Sequence, residues 1–344
     1  MANIIVCSDG TWNRPEKEDK DTATNVLRVA RAIAPEHNDV KQHVFYDWGI
    51  GSYHDSVSGG ITGKGLAKNI KDGYRYIVQN YNDGDKIYLF GFSRGAYTSR
   101  AICGLINNCG IVKRKEAKRI EQAWDLYKNE DSDCKPAGER AKSFRSKYSH
   151  LEKQIHFVGV WDTVGALGIP INFLGLFDRE EQFYDSKMGP NITFARHALA
   201  IDEKRTDFSP TIWQQQKGAD LKQLWFAGVH SDIGGSYAPD KHKLLSSNAA
   251  LAWMIDEAMA QGLLFESHLL KQLSKASKAT ELPELHQSRI HFFRLKSPED
   301  RKLKISNTLK LHQSVKERYD NDPSYRPENL KALLQTNSWE EIID

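Results

Sequence analysis

The stretch Lys86-Ile87-Tyr88-Leu89-Phe90-Gly91-Phe92-Ser93-Arg94-Gly95-Ala96 decides how this chain is read. Lys86 to Phe90 is a short apolar run behind Asp83-Gly84-Asp85, which predicts a buried strand. Gly91-Phe92-Ser93-Arg94-Gly95 follows at once, and helical character runs from Arg94 to about Asn107. A strand, a sharp turn and a helix in that order hold a serine with its hydroxyl exposed. Two glycines allow the close backbone approach that such a turn demands.

The same alternation extends outward in both directions. Strands are predicted at Ile4 to Cys7, Val44 to Tyr46, Ile155 to Val160, Leu224 to Val229 and Ile290 to Leu295. Between them, Thr24 can cap a helix with Val26, Leu27, Ala30 and Ile33 on one face, ended near Pro35. Leu66 to Tyr81 and Ser247 to Gln261 read as two further helices. Gly49 to Gly65 holds six glycines and reads as a loop. Strands alternating with helices predict an α/β fold, with a mostly parallel central sheet and helices on both faces.

No proline-rich linker divides the chain, so residues 1–344 are expected to form one domain. The charge-rich segment 113–150 interrupts the alternation, with Ile120, Trp124 and Tyr127 on one helical face. It is expected to be a helical insertion, a cap over the C-terminal edge of the sheet. Its basic excess suits peripheral contact with an anionic membrane surface, although a plain solvated helix face accounts for it more simply. The end of the chain, from about residue 305, reads as polar and helical.

Composition removes several classes. The 344 residues carry a net charge of +3, too little for a nucleic-acid footprint. No apolar run reaches the roughly 18–20 residues of a membrane span, and no secretory signal opens the chain. Cys7, Cys103, Cys109 and Cys134 form no Cys-x-x-Cys pair and read as reduced packing residues of a protein cytoplasmic as synthesised.

A serine hydroxyl needs a base, and the base needs an orienting acid. Asp162 stands just past one predicted strand and His230 just past another. The order Ser93, Asp162, His230 is that of α/β-hydrolases. His230 would take the Ser93 proton and Asp162 would hold the imidazole. Asp202 and Asp232 compete for the acid's role. If Ile290 to Leu295 joins the main sheet, His230 comes one strand early. The Arg94 amide and that of Gly10 or Thr11, after the first strand, are the candidate oxyanion donors. A rival reading gathers Asp9, Asp162, His230 and Asp232 as metal ligands of a phosphoesterase. Another is a catalytically silent binding module. Gly63-Lys64-Gly65 lacks the Walker spacing, and Gly49-Ile50-Gly51 lacks the third glycine of a dinucleotide loop, so no cofactor is expected.

Four ordered segments carry a family resemblance: Val6-Cys7-Ser8-Asp9-Gly10-Thr11-Trp12-Asn13; Gly91 to Ala96; Gly159-Val160-Trp161-Asp162-Thr163-Val164-Gly165; and Trp225 to Gly235 around His230. Thr24-Asn25-Val26, His197 to Glu203 and Arg205 match as well. The chain resembles the α/β-hydrolase domain family that includes type VI secretion phospholipase effectors, over about residues 3–238. The resemblance implies an α/β-hydrolase fold and a Ser–Asp–His ester hydrolase. For the effector branch it implies phospholipid acyl esters as substrate. It names no protein partner.

Overall fold

The computed structural model describes residues 1–10, 23–37, 39–49, 63–164, 188–289 and 297–344. Among the described residues, eight strands form one sheet: β1 (Ala2–Ser8), β2 (Glu36–His37), β3 (Val40–Asp47), β4 (Lys86–Phe92), β5 (Ile155–Trp161), β6 (Ile192–Ala200), β7 (Asp220–Phe226) and β8 (Leu309–Leu311). Their order is β2-β3-β1-β4-β5-β6-β7-β8. Every pairing is parallel except that of the two-residue β2 with β3.

Both faces of the sheet are covered, which is why its strands read as unbroken apolar runs. The period of two sorts the side chains. Ile4, Val6, Ile87, Leu89, Val158 and Val160 face α2 (Gly63–Asn80) and α3 (Arg94–Cys109). Ile5, Cys7, Tyr88, Phe90, Phe157 and Trp161 face α1 (Asn25–Ala32) and α7 (Asn248–Ala260), with Leu269 and Leu273 of α8 (Ser267–Ser277) in the same cluster. Complete burial of each such side chain contributes about 1.5–3 kcal/mol. All four cysteines are buried free thiols.

Leu199, Ile201, Trp225, Leu309 and Leu311 form a third cluster with α9 (Gln313–Asn321), α10 (Glu328–Leu334) and α11 (Trp339–Ile342). The end of the chain is therefore more than polar helix. It contributes the edge strand β8 beside β7. The strand expected at Ile290 to Leu295 lies outside the described residues.

The segment 113–150 holds α4 (Ile120–Lys128) and α5 (Glu139–Tyr148), but it does not cap the C-terminal edge. Its ends close on each other, with the Lys113 amide donating to the Tyr148 carbonyl at 2.8 Å. Arg145 bonds the Asn108 carbonyl, and Ser149 the Cys109 carbonyl. These partners lie at the far end of α3, about 24 Å along the helix from Ser93 at 1.5 Å per residue. His150 meets Asp83, just ahead of β4, at 2.7 Å. Connectivity explains the placement. A helix that leaves the C-terminal edge of a parallel strand ends at the N-terminal edge, and an insertion between it and the next strand stays there.

Candidate active site

Ser93, Asp162 and His230 come together at the C-terminal edge of the sheet. Ser93 follows β4, Asp162 follows the neighbouring β5, and His230 begins the short helix α6 (His230–Gly234) after β7. Parallel pairing brings these strand ends to one edge, where open α/β sheets bind their ligands.

The turn at Ser93 is built for close approach. Ser93 has φ 58° and its amide donates to the Trp161 carbonyl at 3.1 Å. A Cβ on Gly95 would lie 2.0 Å from the Ser8 carbonyl oxygen, and one on Gly91 would lie 2.4 Å from the Gly95 oxygen. Both motif glycines are therefore required by packing against backbone, which cannot yield cheaply. Asp162 also has a positive φ, 39°. Two of the three residues thus sit in backbone conformations that cost on the order of 1–3 kcal/mol each, as occurs at functional sites.

His230 Nε2 lies 2.9 Å from Ser93 Oγ, and His230 Nδ1 lies 2.6 Å from Asp162 Oδ2. A proton on Nδ1 satisfies both contacts, since it donates to the carboxylate and leaves Nε2 to accept from the hydroxyl. The imidazole is 5% exposed and packs between Phe92 and Phe208, with ring centroids 4.6 and 4.9 Å away. Burial pushes the Asp162 carboxyl up, but Arg301 and His230 together outweigh that and hold it well below the usual carboxylate range.

The model of the type VI secretion phospholipase effector Tle1-like catalytic domain matches residues 2–257. The chain belongs to this family. An uncharacterised protein of Saccharomyces cerevisiae is 27% identical over 229 residues, covering 60% of this chain and 32% of its own length. Two solved structures are similar. An uncharacterised protein from Pseudomonas aeruginosa has a TM-score of 0.49 and 17% identity, covering 80% of this chain and 48% of that one. The Tle1 effector bound to the VgrG spike of the type VI secretion system has a TM-score of 0.42 and 21% identity, covering 69% and 51%. The chain thus spans about a third of the yeast relative and about half of each solved chain.

Around Ser93, His230 and Asp162 of this Tle1-like chain, the other nominated residues separate into distinct settings. Asp202 lies at the end of β6, where its Oδ2 accepts from the Gly228 amide at 2.6 Å and from Tyr325 at 3.0 Å. Burial pushes its carboxyl up to about 6. Asp232 accepts from the Val229 and His286 amides, the Ser246 hydroxyl and His286 Nδ1. It caps α6 rather than meeting His230. Asp9 accepts from the Gly10 amide, Thr24 and Tyr46.

The metal cluster of Asp9, Asp162, His230 and Asp232 is therefore not assembled. Its three carboxylates serve three separate hydrogen-bond sets. Among the described residues, no group of three or more His, Cys, Asp or Glu side chains is placed to hold a metal ion.

The strand end at Ser8 and Asp9 does press against the first turn of α3, as an oxyanion loop must. The Gly10 amide, however, donates to Asp9 Oδ1 at 2.7 Å and is already committed. Thr11 lies outside the described residues. Arg94 is the first residue of α3, directly after Ser93.

The sequence reading missed Arg301 and Glu203. Arg301 forks onto both Asp162 oxygens, at 2.6 and 3.0 Å. Glu203 Oε2 accepts from the His230 amide at 3.3 Å, Arg205 donates to both carboxylate oxygens, and Ser288 donates to Oε1. Glu203 stood inside a quoted motif, and its position after β6 was a usable signal. Arg301 lies in Pro298-Glu299-Asp300-Arg301-Lys302, where nothing sets one charge apart from its neighbours.

Proposed function

We propose that this chain is a serine ester hydrolase that cleaves phospholipid acyl esters through an acyl-enzyme on Ser93. The observation that carries the reading is the continuous row Ser93–His230–Asp162, at 2.9 and 2.6 Å, in a member of a phospholipase effector family. As Ser93 Oγ attacks the ester carbonyl carbon, His230 Nε2 takes the hydroxyl proton and Asp162 stabilises the imidazolium. Negative charge develops on the carbonyl oxygen beside the Arg94 amide, at the positive end of the α3 dipole. Collapse expels the lysophospholipid alcohol, which takes the proton from His230. Water activated by the same histidine then releases the fatty acid.

Mixed phospholipid vesicles, incubated with wild type and Ser93→Ala and analysed by mass spectrometry, test this. Free fatty acid and lysophospholipid are expected from wild type alone, with or without chelator. Product that survives Ser93→Ala and vanishes with chelator would replace the serine mechanism with a metal-dependent one. No lipid product from wild type, alongside turnover of soluble esters, would keep the ester chemistry and remove phospholipid as substrate.

A further inference from the structure

We infer that Arg301 is a positioning residue of this site: its guanidinium locks the Asp162 carboxylate so that His230 stays aimed at Ser93, and the C-terminal segment is thereby part of the catalytic apparatus. The inference rests on the ester-hydrolase reading above. Arg301 stands outside residues 2–257, which the family model matches.

The geometry is a full set of contacts around one carboxylate. Asp162 Oδ1 accepts from Arg301 Nη1 at 2.6 Å and from the Ala200 amide at 3.0 Å. Oδ2 accepts from Arg301 Nη2 at 3.0 Å and from His230 Nδ1 at 2.6 Å. Four donors on two oxygens leave the carboxylate no freedom to rotate about its Cβ–Cγ bond. Asp162 is fully buried, so water has no access to replace any of them. A two-pronged guanidinium contact fixes both the plane and the charge of its partner, which a lysine ammonium does not do.

The guanidinium is itself held. Nη1 also donates to the Ala200 carbonyl at 2.7 Å, and Nη2 to the Phe208 carbonyl at 2.5 Å. Phe208 is one of the two rings that flank His230. Behind Arg301, Asn329 of α10 donates to the Arg301 and Ile201 carbonyls, both at 3.1 Å. The C-terminal helices therefore brace the arginine, the arginine braces the aspartate, and the aspartate orients the base.

The test uses the full chain, p-nitrophenyl butyrate as substrate and a fluorophosphonate probe for the reactive serine. In wild type the probe should label Ser93, and Ser93→Ala should lose both label and turnover. Absence of either in wild type would sink the ester-hydrolase reading itself, and this inference with it. With that reading standing, Arg301→Ala is expected to lower kcat about 100-fold at nearly constant KM. Methylguanidinium at tens of millimolar should restore part of the rate, whereas methylammonium should not. A folded Arg301→Ala protein with wild-type kcat would overturn the inference. If circular dichroism shows Arg301→Ala to be unfolded, Arg301→Lys decides, because it keeps the cation and loses the fork. A tenfold or greater fall in kcat at the wild-type melting temperature supports positioning, and wild-type kcat refutes it.

Discussion

The molecule contains two aspartate–histidine pairs beside the same short helix, and they do different work. Asp162–His230 closes at 2.6 Å and Asp232–His286 at 2.7 Å. His230 is buried between Phe92 and Phe208 and reaches Ser93 with its second nitrogen. His286 is partly exposed and stacks on Tyr237, with ring centroids 3.8 Å apart. Asp162 faces a buried guanidinium, whereas Asp232 is surrounded by the neutral donors of Val229, Ser246 and His286. A short carboxylate–imidazole bond therefore says little by itself. The third partner on each side, the Ser93 hydroxyl and the Arg301 cation, separates the pair proposed to be catalytic from one that secures the turn carrying it.

This contrast can be broken by kinetics. Ser93→Ala and His230→Ala should each lower kcat on a soluble ester by about 10⁴-fold or more. Asp162→Asn should cost about 10²–10⁴-fold with little change in KM, since it leaves the imidazole in the wrong tautomer. Comparable losses from His286→Ala would erase the distinction between the two pairs.

The next effect concerns stability, and it sets Asp162 against Asp202. Burial pushes the Asp202 carboxyl up to about 6 from an ordinary 3.8, against the smaller opposing pull of the Gly228 amide, Tyr325 and Lys204. The folded chain then binds more protons than the unfolded one between those values, so stability falls as pH rises through them. The cost above pH 6 is on the order of 3 kcal/mol. Asp202→Asn should therefore melt higher than wild type at pH 8 and equally near pH 4. Asp162 has the opposite sign. Its lowered carboxyl contributes stability at neutral pH that is lost as pH falls below the ordinary carboxylate range. An Asp202→Asn protein that melts lower than wild type at pH 8 would show that the charge of Asp202 is needed for its bonds to Gly228 and Tyr325.

Asp232→Asn should cost about 1–3 kcal/mol in denaturant unfolding, because a buried acceptor of four donors is impaired. Its kcat should fall less than that of Asp162→Asn. The smallest effect is expected from His286→Ala, with under about 1 kcal/mol of stability lost and the rate nearly unchanged.

Legibility followed the range of the interactions. Strands β1, β4, β5 and β7 were readable because each is a buried apolar run ending in a turn. Strand β6 was not, because Arg196 and His197 interrupt its apolar pattern. The fold places Arg196 almost fully out of solvent, against Glu257 and Asp220. The insertion at 113–150 was legible as helices, yet its expected position was at the wrong edge. The local pattern says nothing of where α3 ends, although the rule for parallel strands does. The concern that His230 comes one strand early is met by topology. It follows β7, with β8 beyond it at the sheet edge, and the strand end still delivers it to Ser93.

The sequence alone determined the strand–turn–helix at Ser93, the parallel α/β class and the three strand-end residues proposed to carry the chemistry. Each depends on patterning or turn chemistry within about ten residues. Tertiary structure decided which of the buried aspartates meets His230, that the four proposed metal ligands form no single cluster, and that Arg301 stands behind Asp162. Those outcomes depend on which strand ends become neighbours and on which distant side chain can neutralise a charge removed from water. Residues 139 positions apart in the chain meet only once the sheet has formed.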